Sequence, residues 1–373
     1  MIDAAELAAV LERLDPQRKP DGEQVVASIG IRSAGTSTAA LTRVQGRWAD
    51  GGSWSLVLKE IHHGTGHPFW SSSEALADPT YWRREAHAFT SGMLPASPDG
   101  LRAPGCYGVF DRPDSSVGLW VEDVTAGAAT AWPLERYALA ARHLGVWHGS
   151  FMTGARSLPD EAWLARGWMR DYVERHRPNL DTAELGWDDP LIRDSIPPEL
   201  GAVFERIFDD RELFLDAIDR APRTLNHNDC WARNLFGDPD DGTILIDWGC
   251  LGIGAAGEDV ATLAPVAVLD FFVPPDQSAC ILDEVWAAYL AGLRDAGWNQ
   301  DPTPVRLAFA ATAGLKFYWL VPHLLTLRER GSLPEMERAT GFSALEMFQA
   351  RASMLSRLAQ LADEARDLIK AGV

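Results

Sequence analysis

The sequence predicts an α+β protein, with a small sheet-rich part first and a large, mainly helical part behind it. Three observations carry this reading. Runs with strand character cluster in the first third of the chain. Helical spacing dominates from about Trp132 onward, and only two short strand-like runs interrupt it. The chain has 373 residues, too many for one small core, so two domains are expected, 1–124 and 125–373.

The elements follow in order. Ala4 to Leu14 places apolar residues at helical spacing and stops before Pro16. Three strand-like runs come next: "EQVVASIGI", "TSTAALTRVQGRW" and, after the turn "ADGG", "SWSLVLKEI". His62 to Pro79 is rich in Gly, Ser and Pro and reads as a loop. "PTYWRREAHAFTSGML" reads as a helix, and "VGLWVEDV" as a strand that follows "LRAPGCYGVF". Residues near Glu122 to Gly127 join the two domains, and ligands favour such junctions. Beyond them "LERYALAARHLGVWHGSF" is helical. So are stretches within Asp160–His176, Glu199–Asp219, Gln277–Ala296, Pro304–Arg328 and Ser343–Ile369. The two interrupting strands lie around Leu225 and around Ile244 to Asp247, and the turn "GDPDDG" is read as joining them in a hairpin.

Composition excludes several classes. Hydrophobic residues make up 46% of the chain, enough for a packed core, so general disorder is excluded. No apolar run approaches the roughly 18 residues of a membrane span. The first residues, "MIDAAELAAVLERLDPQ", are acidic and are not read as a signal peptide. The formal charge is −19, which argues against nucleic acid and is easier to reconcile with a cationic or neutral ligand. Cys106, Cys230, Cys250 and Cys280 form no CxxC pair, so no disulfide framework is expected and the setting is read as cytoplasmic. Lysine is scarce (Lys19, Lys59, Lys316 and Lys370), which draws notice to Lys59 inside an apolar strand.

The chemistry concentrates in "LNHNDCWARNLF" and "ILIDWGC". Asp229 and Asn234 stand five apart on a loop after a strand, and Asp247 ends the next strand. Taken singly, Asp and Asn are most often turn and cap residues. As an ordered set, a carboxylate and an amide offer oxygen ligands to a hard ion such as Mg²⁺. The remaining carboxylate can take a proton from a hydroxyl.

"HNDCWARN" followed by "IDWG" resembles the catalytic loop and metal-binding strand of the aminoglycoside phosphotransferase and choline kinase family, whose members have a protein-kinase-like bilobal fold. The resemblance runs from about Val25 to Leu263. It implies that Asp229 is the catalytic base, that Asn234 and Asp247 hold the metal, and that His227 orders the loop backbone. It also implies that Lys59 contacts the nucleotide phosphates and that Glu85 pairs with Lys59, with Glu74 a weaker rival. "IGIRSAGTSTAALTRV" lies where such kinases fold a loop over the phosphates; Gly35 and Ser37 are its candidates, beside Gly30, Ser33, Thr36 and Thr38. "LWVEDVTAG" resembles the strand that binds adenine through backbone groups, so Glu122 and Val124, with Asp123, are candidates there.

Two departures bear on the loop. Asn228 replaces the glycine usual before the catalytic aspartate, and Asn tolerates left-handed backbone. Trp231 stands where protein kinases carry lysine, which disfavours a protein substrate, and gives the loop a flavour similar to the ecdysteroid-kinase-like branch. Asp259 is read as a helix cap rather than a site residue, and Glu258 is only a minor candidate for facing the acceptor. The tryptophans are assigned to the core.

The expectation is a small-molecule kinase. It would use ATP or GTP with Mg²⁺ to phosphorylate a hydroxyl of an aminoglycoside, an amino sugar, a sugar or a choline-like compound. The acidic charge favours a cationic acceptor. The alternative is a nucleotide-binding pseudokinase acting as a regulator or partner protein.

Overall fold

Helix α1 (Ala4–Leu14) begins where the Asp3 carboxylate accepts the N–H groups of Ala5 and Glu6. The computed structural model describes it together with the rest of residues 2–30, 37–64, 71–96, 100–125, 132–176, 188–320 and 331–373. Strands β1 (Pro20–Ser28), β2 (Thr38–Trp48) and β3 (Ser53–Ile61) follow, then helix α2 (Arg84–Ser91) and strands β4 (Leu101–Arg102), β5 (Cys106–Asp111) and β6 (Val117–Glu122). Beyond them come α3 (Leu134–Met152), β7 (Ala165–Arg166), α4 (Trp168–His176), α5 (Pro190–Arg193), α6 (Glu199–Asp209) and α7 (Arg211–Arg220). Four short strands come next: β8 (Arg223–Asn226), β9 (Leu235–Gly237), β10 (Thr243–Leu245) and β11 (Gly252–Ala255). The chain closes with α8 (Glu258–Leu269), α9 (Ser278–Asp295), α10 (Thr303–Lys316), α11 (Leu333–Thr340) and α12 (Ala344–Lys370). The class is α+β.

Contacts group the chain into two compact units. The first comprises Met1–Ala128, Asp160–Arg166 and Asn234–Leu251; the second comprises Ala129–Pro159, Gly167–Arg233 and Gly252–Val373.

In the first unit, an antiparallel sheet runs in the order β1-β2-β3-β6-β5. Leu7, Val10 and Leu11 of α1 pack with Val44, Trp48, Leu56, Leu58 and Trp120. Glu6 sits at this contact without destabilising it, because Arg112 donates two hydrogen bonds to it at 2.8 Å and the Trp120 indole donates another at 2.9 Å. Strand β3 alternates, so Leu56 and Leu58 go to this core and Lys59 goes to the opposite face. A second sheet has the order β4-β10-β9, with β9 and β10 forming a hairpin across the turn Asp238–Gly242. Arg102 braces that turn, donating to both oxygens of Asp238 and both of Glu122.

In the second unit, α3 and α9 approach closely at Gly145 and Gly292. A Cβ at Gly145 would lie 2.3 Å from the Tyr289 carbonyl oxygen, and one at Gly292 would lie 2.0 Å from that of Arg142. Helix α8 is buried along nearly all its length, which its apolar composition allows. Strands β8 and β11 pair antiparallel, Asn226 opposite Gly252 and Arg223 opposite Ala255. Helix α12 starts at a capping box of Ser343 and Glu346. Among the described residues, no helix is long and apolar enough to cross a membrane.

Three local expectations need correction. The expected hairpin does not join the strand near Leu225 to the strand near Ile244. The hairpin partner of β10 is β9, and β8 pairs with β11 instead. A three-residue strand shows no period, and "GIGA" carries no strand signal, so neither β9 nor β11 was legible. The helix in "PTYWRREAHAFTSGML" is shorter than the run. Residues before Arg84 form a turn held by Asp78, whose carboxylate accepts the Thr80 N–H, and the helix stops at left-handed Gly92. Finally, Glu199–Asp219 breaks into α6 and α7 at Asp210.

Candidate active site

In the first unit, β3 delivers Lys59 and α2 delivers Glu85. Lys59 Nζ lies 2.6 Å from Glu85 Oε2 and donates to Asp247 Oδ1 at 2.7 Å. Glu74, the rival, is exposed on a bend. Burial would lower the Lys59 pKa, but the Asp247 and Glu85 carboxylates outweigh it and hold the ammonium above its usual range. Burial pushes the Glu85 carboxyl up; Lys59 and the Trp248 N–H oppose that shift.

Asp247 follows β10 in the left-handed conformation, φ 65°, and its side chain is 41% exposed. Trp248 behind it is fully buried and donates its indole N–H to the Leu245 carbonyl at 2.7 Å, which fixes the turn. Asn234 precedes β9, is buried, and its carbonyl accepts the Ile246 N–H at 2.9 Å. The hairpin register therefore sets Asn234 beside the residue before Asp247.

The Glu122 carboxylate is committed to Arg102, which holds its pKa below the usual range, and it also accepts the Gly105 N–H. Its own N–H donates to the Gly105 carbonyl at 2.8 Å. Val124 is half-buried, past the end of β6, and among the described residues its backbone makes no hydrogen bond. Asp123 is held by Arg43, Ser55 and Thr125. Ser37 accepts the His62 N–H at its carbonyl. Gly35, Ser33 and Thr36 lie outside the described residues.

In the second unit, Asp229 is half-buried on the loop after β8 and donates its N–H to His227 Nδ1 at 3.2 Å. His227 thus receives the backbone N–H of Asp229 at its ring. Asn228 has φ 66°, a conformation that Asn accepts where most side chains do not. Asp259 does not cap its helix, because Gly257 is the N-cap and makes no side-chain bond. Its carboxylate instead accepts the N–H groups of His227 at 2.8 Å and Asn228 at 2.7 Å. Burial would raise the Asp259 pKa, but His148, 3.3 Å away, and His227 keep it low. His148 is set by Tyr289, whose hydroxyl lies 3.0 Å from its Nδ1.

Glu258, the minor candidate for facing an acceptor, is buried and accepts the Ala255 N–H; burial pushes its pKa up to about 7. Lys316, unassigned by sequence, donates to Thr262 at 2.9 Å and approaches the Asn228 carbonyl at 3.5 Å. Its only sequence signal was the scarcity of lysine. All four cysteines are free.

The donor set suits Mg²⁺. A half-exposed carboxylate and a neighbouring amide supply oxygen ligands, and Mg²⁺ ordinarily takes few protein ligands and completes its shell with water and phosphate. Among the described residues, no cluster of three His, Cys, Asp or Glu side chains makes an all-protein metal cage.

Residues 136–301 match the family model described as the phosphotransferase enzyme family. Both motifs lie inside this segment; Lys59 and Glu85 lie outside it. No curated protein matches the chain. Among solved structures, a choline kinase from Cryptosporidium parvum is 12% identical, with a TM-score of 0.55, covering 97% of this chain and 96% of its own. An amicoumacin kinase in complex with AMP-PNP and Ca²⁺ is 13% identical, with a TM-score of 0.53, covering 97% and 94%. A spectinomycin phosphotransferase in complex with ADP and spectinomycin is 13% identical, also with a TM-score of 0.53, covering 97% and 99%. At such identities the likeness shows the fold. The chain has the protein-kinase-like α+β fold of these proteins. The resemblance read from the two motifs agrees with the family model over residues 136–301, a model of phosphotransferases.

Proposed function

We propose that this protein is a small-molecule kinase that moves the γ-phosphate of ATP or GTP to a hydroxyl of a small acceptor. The observation that carries the reading is the Lys59 ammonium clasped by Glu85 at 2.6 Å and Asp247 at 2.7 Å. Lysine has three N–H donors. Two are engaged here, which leaves one for a phosphate oxygen.

In this reading Asp229 accepts the proton of the acceptor hydroxyl as its oxygen bonds to the γ-phosphorus. The bond from that phosphorus to the bridging oxygen breaks, and the nucleoside diphosphate leaves with the electron pair. Asp259 keeps Asp229 in place by fixing the two preceding N–H groups. Asn234 and Asp247 would hold Mg²⁺, which supplies neutralising charge to the phosphates when bound. Glu122 and Val124 would meet the base through backbone groups, and Ser37, with Gly35, would line the phosphate loop. The nucleotides in the amicoumacin kinase and spectinomycin phosphotransferase structures support nucleotide use. The net charge of −19 favours a cationic acceptor such as an aminoglycoside, an amino sugar or a choline-like compound, with neutral sugars also in range. Free cysteines agree with a cytoplasmic setting.

The test is nucleoside diphosphate release from ATP and GTP, with Mg²⁺, across aminoglycosides, amino sugars, neutral sugars, choline and nucleosides. Acceptor-dependent release that is lost in Asp229→Asn is the expected result. Nucleotide binding without release on any acceptor would favour the pseudokinase. Absence of nucleotide binding would overturn the reading.

A further inference from the structure

We propose that Arg84 is a positioning residue that keeps Lys59, Glu85 and Asp247 assembled, by clamping the head of α2 to the chain just after Asp247. The inference rests on the reading of these residues as a phosphate-binding constellation.

Arg84 is fully buried at the start of α2, next to Glu85. Its guanidinium spends its donors on backbone carbonyls alone: Asp78 and Pro79 at 2.6 Å, Trp163 at 2.8 Å and Gly249 at 3.2 Å. Among the described residues, none of its partners is a carboxylate. Burial lowers its pKa to about 10, so it stays charged at neutral pH. A buried cation whose direct partners are all carbonyls is costly, the Asp78 carboxylate offsetting burial only in part, and an apolar side chain would fill the same space at lower cost. The charge therefore needs a reason, and the partners supply one. They come from three separate stretches of chain and number four carbonyls, which the five fixed donors of a planar guanidinium can serve at once and the three of an ammonium cannot.

One of those stretches is the metal-binding run itself. Asp247 meets Lys59, the Trp248 N–H meets Glu85, and the Gly249 carbonyl meets Arg84. Three consecutive residues are thus held by three side chains, two of them neighbours on α2. Of these three polar ties Lys59 belongs to β3, so without Arg84 the tie from α2 to this run that remains among them is Glu85, which would lose the geometry that opposes it to Lys59.

The test exploits the four lysines. Amine acylation of the folded protein, read by peptide mass spectrometry, reports Lys59 against Lys316, which is equally buried but in the other unit. Mg²⁺-dependent ATP binding is measured on the same samples. In Arg84→Met, Lys59 labelling should rise at least tenfold with Lys316 unchanged, and ATP binding should weaken about tenfold. Arg84→Lys should not restore either. Arg84→Met in a Glu85→Gln background should weaken binding no further than Glu85→Gln alone, because residues acting through one contact are not additive. Arg84→Gln, which keeps an amide donor, serves if the Met variant does not fold.

Lys59 still protected in a folded variant would overturn the proposal. So would Lys59 and Lys316 exposed together, which marks general loosening, or additive losses in the double variant. If the wild-type protein binds no ATP while Arg84→Met still frees Lys59 selectively, the nucleotide reading falls and the positioning role stands.

Discussion

Asp259 Oδ1 accepts the backbone N–H of Asn228 at 2.7 Å, from a helix that begins thirty residues further along the chain. With its second oxygen on the His227 N–H, this one carboxylate fixes both residues that precede Asp229. Asp259→Ala leaves two buried N–H groups without an acceptor. It should lose about 3 kcal/mol of stability, the scale of hydrogen bonds to a charged group, and Asp259→Asn should lose less. Urea unfolding checks the order; an Ala variant as stable as wild type would refute the role.

The backbone at Asn228 makes a second prediction. Its φ of 66° suits Asn or Gly and strains other residues. Asn228→Gly should stay within about 0.5 kcal/mol of wild type, whereas Asn228→Ala should lose roughly 1–2 kcal/mol. Equal losses in both would show that the side chain, rather than the dihedral, matters.

Glu258 sets a pH dependence. Its carboxyl titrates at about 7 in the folded chain, against 4.5 ordinarily, with burial the largest cause and Arg223, Asp259 and Lys316 the charged groups nearby. Folding therefore takes up a proton between these values. The contribution is fully present below about 4.5 and is lost as pH rises through about 7, roughly 3 kcal/mol in all. Asp259, whose pKa is lowered, acts below its ordinary value of 3.8 and so outside this window. Stability measured from pH 4.5 to 8 should fall in the wild type and stay flatter in Glu258→Gln. Parallel curves would remove Glu258 as the cause.

Helix packing gives a prediction independent of the site. A methyl at Gly145 would meet the Tyr289 carbonyl at 2.3 Å, a backbone atom that cannot swing away. Gly145→Ala should lose about 1–3 kcal/mol despite its better helix propensity, while Asp229 chemistry in the surviving folded fraction should be unchanged. A stabilised variant would show that α3 and α9 are not in contact there.

Much of this was legible in the chain itself. "HNDCWARN" and "IDWG" drew attention to Asp229, Asn234 and Asp247 through their likeness to a family's motifs, an order and spacing that a sequence displays directly. Lys59 stood out as a lysine in an apolar strand, and alternation along "SWSLVLKEI" already set it opposite Leu58. The α+β class followed from where period two gives way to period 3.6. Tertiary structure decided the rest. It chose Glu85 over Glu74, paired β8 with the glycine-rich β11, turned Asp259 from a cap into the anchor of the loop, and surrounded Arg84 with carbonyls from three segments. The physical reason is common to all four. A hydrogen bond or strand pairing between residues far apart in sequence leaves no periodic trace, because its partner is selected by the packing of the elements that carry it.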